Sequence, residues 1–351
     1  MCQGKQHEFL QALPKCEHHM HLEGSLSPEL LFTLAQRNNI DLPSSDPAFQ
    51  SPSTLLARYR QFTSLDDFLH YYFIGMSVLM SAADFESLTY DYFRVAHSDG
   101  VLHAEVFFDP QVHMHRGVSY AAVVEGITRG RERAMADFGI SSEIIVCVLR
   151  HLPVEDGHAM YTEHAVPDLE VGRVKGLGLS STELGNLATK YTSIYSDAEN
   201  RGFNLTAHAG EEGGVEYMAS ALYDLHVTRV DHGIKLGHSP ELMREFVDRN
   251  ILVTMCPISN VELKCVTKIA DLPLRLYLDQ GVKFSINSDD PAYFGGYILE
   301  NYCQVQDAFS LTNQEWGVIC ANAIEGSWCT EERKSHLRER LAGVLQMFEQ
   351  S

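Results

Sequence analysis

The chain has 351 residues, of which 45% are hydrophobic and 21% charged, an ordinary globular balance with enough apolar material for a large core. Its formal net charge of −20 repels phosphate backbones and anionic bilayers, which argues against a nucleic-acid partner and against a membrane surface. The N-terminal stretch 1–15 lacks a signal-like apolar segment, no run approaches the roughly 20 apolar residues that span a bilayer, and the eight cysteines include no CxxC pair, so a reducing compartment is expected: the cytosol, with the nucleus as a second location.

Eight short apolar runs recur along the chain, at 15–22, 101–108, 143–149, 174–179, 204–208, 228–232, 251–255 and 282–287. Most are rich in Val, Ile, Leu and Phe, the composition of parallel strands buried on both faces. Helical periodicity fills the gaps, clearest at 119–138, 181–201 and 239–249, the last with Pro240 in its first turn. Eight strand–helix units predict an α/β fold, a (β/α)8 TIM barrel. The stretch 27–96 is too long for one crossover helix and reads as extra helices over the barrel mouth, inserted after strand 1. Within it, 43–52 reads as a flexible loop from its Pro and Ser content. No internal repeat and no second domain are evident, so 1–351 is expected to form one barrel domain.

Barrel enzymes place their chemistry at the C-terminal ends of the strands. Strand 1 ends in His19-Met20-His21-Leu22-Glu23-Gly24. Residues i and i+2 of a strand face the same side, so both imidazoles can converge on one metal, and imidazole nitrogen suits zinc. His18 faces away and reads as structural. Strand 5 ends at His208, with Glu211 just beyond; strand 6 ends at His232; strand 8 ends in Asp289-Asp290. Each motif alone is weak. A histidine at a strand end is commonly a hydrogen-bonded core residue, and Asp-Pro is ordinary turn chemistry. Their joint placement at one rim carries the expectation: His19, His21, His208 and Asp289 around one ion, with a position left for water.

The segments HMHLEGS, TAHAGEE, VDHG, MCPISN and NSDDPAYFGG, in that order, resemble the motifs of the adenosine/adenine deaminase family of the amidohydrolase barrels, from about residue 13 to beyond 301. The resemblance implies one zinc per chain on His19, His21, His208 and Asp289. It implies that Glu211 protonates the purine ring nitrogen beside the carbon under attack and that His232 orients and deprotonates the attacking water. Asp290 would hydrogen-bond the imidazole edge of the base, and Ser181 would lie near its other edge. SNVELK and NSDDPAYFGGY look more like the branch of fungi and some bacteria that acts on adenine, giving hypoxanthine and ammonia in purine salvage. Adenosine and N6-substituted purines are alternative substrates. The adenosine branch has Asp at the position of Glu23, and the longer Glu23 is expected to shorten the pocket and exclude ribose. Two departures concern Ser180, where this branch is expected to have Asp, and the absence of a His before Pro273.

Other chemistries fit less well. Two-metal amidohydrolases carry a modified Lys at the end of strand 4, but Lys175 lies too early. His103-Ala104-Glu105 matches half of a cytidine-type zinc motif, with no PCxxC after it. His113 and His115 read as structural or surface residues. A non-catalytic barrel would be expected to have lost a ligand, Glu211 or His232, and all are present.

Overall fold

A computed structural model describes residues 4–349. Its eight strands are β1 (Lys15–Glu17), β2 (Val101–Phe108), β3 (Ser141–Leu149), β4 (Gly176–Ser180), β5 (Asn204–Ala209), β6 (Arg229–His232), β7 (Leu252–Met255) and β8 (Phe284–Ile286). They neighbour one another in chain order and pair in parallel throughout. The ring closes just beyond β1: Asp289 N donates to His19 O at 3.0 Å, and His21 N donates to Asp289 O at 2.9 Å. This is the expected (β/α)8 barrel.

The ladder of β1 stops at Glu17, five residues short of the expected end at 22. Past it the chain keeps only single bridges, Met20 to Asp289 and His21 to Phe107. The two histidines therefore stand where the barrel loosens into its mouth.

The helix expected at 119–138 runs over Tyr120–Phe138, capped by Ser119 and ended by Gly139 at φ 73°. That at 239–249 runs over Pro240–Asp248 beneath a Ser239 cap. The one expected at 181–201 is shorter, Thr192–Asn200 preceded by a 3-10 turn Ala188–Tyr191. Ser181 and Gly185, both at φ 76°, break the helical path, and Glu183 instead ties the loop to Gly213, whose N donates to Oε2 at 2.5 Å.

Helix α1 (Gly4–Ala12) precedes β1. Between β1 and β2 lie α2 (Pro28–Asn38), α3 (Pro52–Tyr59), α4 (Leu65–Met76) and α5 (Ala82–Ser98), as the length of that segment required. The loop expected to be flexible at 43–52 contains a 3-10 turn at Pro47–Gln50. Asp46 pins it, accepting from Ala48 N at 2.8 Å and from Tyr71 OH at 2.6 Å.

Near the N-terminal end of the barrel, the buried Arg229 donates to the buried Glu105 at 2.6 Å and lies 3.9 Å from the ring of the half-buried Trp328. Burial pushes the Glu105 carboxyl up, but Arg229 and His103 outweigh it and hold it below the usual carboxylate range. The HxE fragment is thus a structural ion pair. Its stabilisation is present above the ordinary Glu value of about 4.3 and is lost as pH falls below it. Glu105→Ala leaves Arg229 buried without its partner and should cost ~3–5 kcal/mol in denaturant unfolding near neutral pH.

Candidate active site

The C-terminal rim of the barrel brings together residues of β5 and of the segments that follow β1 and β8. His21 Nε2 lies 3.0 Å from His208 Nε2, His19 Nε2 3.2 Å from Asp289 Oδ1, and His21 Nε2 3.6 Å from the same oxygen. One donor atom from each of these four residues lies within 4.8 Å of every other. All four side chains are buried. Converging imidazole nitrogens and a carboxylate oxygen form a donor set that suits a tetrahedral N/O metal site.

The imidazoles are aimed from behind. Strand register aligns His208 with Asp231 and Asp231 with Thr254. Asp231 accepts from Thr206 Oγ1 at 2.9 Å and from Thr254 Oγ1 at 2.8 Å, and lies 3.2 Å from His208 Nδ1. Thr254 in turn meets His19 Nδ1, at 3.1 Å from its Oγ1 and 3.3 Å from its carbonyl oxygen. Each ring thus turns its Nε2 toward the cluster. Ser259 Oγ donates to Asp289 Oδ2 at 2.6 Å and leaves Oδ1 facing the histidines.

Burial lowers His21 to about 3 and lowers His208, helped by neighbouring imidazoles, so both are neutral at neutral pH. Burial also opposes charge on His19, but the adjacent Asp289 carboxylate outweighs it and raises this ring. A second possible group substitutes His232 and Cys256 for His21 and His208. The Cys256 thiol is pushed far up by burial and by Asp289, which keeps it protonated and a poor ligand.

His232 and Asp289 share an unusual backbone. Both are at φ 63°, in the left-handed region that non-glycine residues seldom occupy. Strand alternation would turn His232 away from the interior that Asp231 faces; the left-handed step returns it to the rim. Its Nε2 lies 3.5 Å from Glu211 Oε2 and its Nδ1 3.2 Å from the Asn260 amide nitrogen. Burial and the charge on His19 hold His232 well below its usual value.

Glu211 and Asp290 are both buried carboxyls with one unpartnered oxygen each, Oε1 and Oδ1. Burial first, then neighbouring carboxylates led by Asp289, raise both well above the usual range. Asp290 packs against Gly24, where an added Cβ would stand 2.0 Å from Asp290 Oδ1, so the β1 loop needs glycine for this approach.

Glu211, His232, Asp289, Asp290, Ser181, His21 and His208 all line one cavity. Helix α4 roofs it with Leu65, Phe68, Leu69, Tyr72 and Phe73. Their spacing of three and four places them on one helix face. The result is a cavity with apolar side chains on its α4 side and polar groups at the barrel rim, the composition of a small-molecule site.

Glu23 and Ser181 stand differently toward this cavity. Glu23 does not reach this lining. It is buried behind it, with Oε1 accepting from Asp109 N at 3.1 Å and 2.9 Å from His113 Nε2. Ser181 does reach the lining, but its hydroxyl bonds His151 Nδ1 at 2.7 Å. His18 is structural, bonded to Ser285 and Ser327 at 3.1 and 2.8 Å. His113 holds Glu23, and His115 is a half-exposed residue 3.4 Å from Asp156.

Sequence reasoning passed over Asp231, Asn260 and Asp109. Asp231 stood in the quoted VDHG motif, and its even spacing from Arg229 marked it as interior. Asp109, directly after β2, had the same strand-end signal as His208.

The family model described as Adenosine deaminase matches residues 14–344. An adenine deaminase of Aspergillus oryzae is 54% identical over 349 residues, spanning 99% of this chain and 98% of that protein. The crystal structure of an adenine deaminase from Arthrobacter aurescens superposes with a TM-score of 0.89 at 36% identity, covering 95% of this chain and 99% of that one. An amidohydrolase from Burkhoderia ambifaria with bound Zn gives a TM-score of 0.87 at 26% identity, over 100% of this chain and 95% of that one. With its motifs in order from the first strand to the last, the chain belongs to the adenosine deaminase family.

Proposed function

We propose that this chain deaminates adenine hydrolytically to hypoxanthine and ammonia, as a purine-salvage enzyme, with one zinc held by His19, His21, His208 and Asp289. The carrying observation is the convergence of those four donors beside two buried, unpartnered carboxyl oxygens in a slot walled by apolar side chains. The near-full-length identity to an enzyme named for adenine supports the choice of base. The zinc-bound Burkhoderia neighbour and the N/O donor set support the choice of metal. The six free thiols among the described residues support a cytosolic setting.

Zinc bound there would lower the pKa of a water toward about 7 and so make hydroxide available. The protein's own groups do the rest. Attack at the amino-bearing carbon places negative charge on the adjacent ring nitrogen. Glu211, kept protonated by burial and by nearby carboxylates, gives its proton to that nitrogen and removes the charge. His232, kept neutral, takes the proton of the attacking water and gives it to the exocyclic nitrogen as the C–N bond breaks, so that ammonia leaves and the hydroxyl proton of the adduct returns to Glu211 as the carbonyl forms. Asp290 meets the imidazole edge of the base, and α4 covers its face.

Glu211→Gln should retain full metal content and lose ~10²–10⁴ in turnover, read by metal analysis and ultraviolet absorbance. Asp289→Ala should release the metal, and full occupancy would contradict its assignment as a ligand. Because the acid must hold a proton and its value is raised, wild-type turnover should persist through neutral pH and fall as pH climbs through the Glu211 value. Adenine, adenosine and AMP assayed side by side test the substrate; comparable rates on all three would overturn it.

A further inference from the structure

Asp109 is a buried acid that the chemistry above does not use. It is 2% exposed and lines the cavity. Its Oδ1 accepts from Ser180 Oγ and its Oδ2 from Tyr72 OH, both at 3.2 Å, and its backbone N is fixed by Glu23. The nearest ring nitrogen, His21 Nδ1, is 3.9 Å away on a neutral imidazole. An acid placed beside Glu23 in a dry site is unfavourable on its own account, and burial followed by Glu23 pushes it up to about 8. Packing alone would be served by an amide or an apolar residue.

The order of strands around the mouth says what this group faces. Glu211 follows β5 and Asp290 follows β8. A purine with its amino-bearing carbon at the histidine cluster, N1 toward Glu211 and N7 toward Asp290, turns N3 and N9 toward the arc β2–β4. On that arc Asp109 lies on the β8 side, opposite the five-membered ring, while Ser180 and Ser181 lie on the β5 side, opposite N3. Free adenine carries a hydrogen on N9. A nucleoside carries a sugar carbon there.

We propose that Asp109, held by Tyr72 and Ser180, is the specificity-determining residue that accepts the N9–H of the free base and thereby rejects N9-substituted purines. The inference rests on the adenine-deaminase reading. It moves the exclusion of ribose from Glu23, which lies behind the lining, to the residue whose backbone Glu23 fixes. In either protonation state one carboxyl oxygen remains an acceptor. An N9-alkylated base leaves that acceptor unpaired and sets a carbon against it, the situation in which hydrogen-bonding sites discriminate by ~10⁴–10⁵.

The test compares adenine with 9-methyladenine, by turnover and by competitive inhibition of adenine deamination, in wild type, Asp109→Ala, Asp109→Asn and Tyr72→Phe, each with metal content measured. Wild type should favour adenine by at least ~10³ in kcat/KM or inhibition constant. Asp109→Ala should keep its metal, lose ~10²-fold on adenine, and narrow the preference at least ~10-fold. Asp109→Asn, whose amide oxygen still accepts, should retain more of the preference. Tyr72→Phe should raise KM with little change in kcat, and it carries the test with Asp109→Asn if the alanine variant does not fold. A wild type that accepts 9-methyladenine as readily as adenine, or variants that lose both ligands equally, would overturn the inference. A metal-loaded wild type inactive on adenine would instead overturn the reading it rests on.

Discussion

The site depends on one buried carboxylate, that of Asp231. It receives hydroxyls from Thr206 and Thr254 and stands beside His208 Nδ1, while Thr254 reaches on to His19. Burial pushes this acid up, but the His208 hydrogen bond, the charge on His19 and Arg229 outweigh it and hold it ionised. Three strands are locked into register by this row, and two imidazoles on opposite sides of the mouth are turned the same way by it. The outward-facing nitrogens that could take a metal follow from hydrogen bonds on the inward-facing ones.

Around that row the rim gathers more acid than it can ionise. Asp289, Asp290, Glu211 and Asp109 all line one slot. Asp289 is held well below the ordinary range, chiefly by His19 against the pull of burial, while the other three are raised. Dividing carboxyls in this way lets one rim present both an ionised carboxylate and protonated carboxyls at a single pH. The left-handed backbone at His232 and Asp289 belongs to the same arrangement. Such conformations persist only where surrounding structure over-determines them, and here Asn260 and Ser259 hold the two side chains in place.

The insertion between β1 and β2 supplies the walls. Helix α4 presents an apolar face to the slot and, through Tyr72, a single hydroxyl to Asp109. Apolar cover excludes water and strengthens every polar contact beneath it. The same helix therefore shapes the cavity and fixes one of the groups that reads its contents.

Much of this was legible in order along the chain. Eight apolar runs of strand length, separated by helical periods, determine a parallel barrel, because hydrogen-bond geometry and burial leave few other uses for them. The same alternation puts His19 and His21 on one side, and barrel architecture puts His208, His232 and the Asp289-Asp290 pair at one rim. What the linear pattern could not contain is whatever arises between strands or against alternation. Register made Asp231 the partner of His208 and Thr254; left-handed steps turned His232 and Asp289 back to the mouth; and packing of α6 (Pro110–His115) drew Glu23 onto His113, behind the cavity, leaving Asp109 to line it. Local periodicity decides which face a side chain starts from. Only contacts among distant segments decide where it ends.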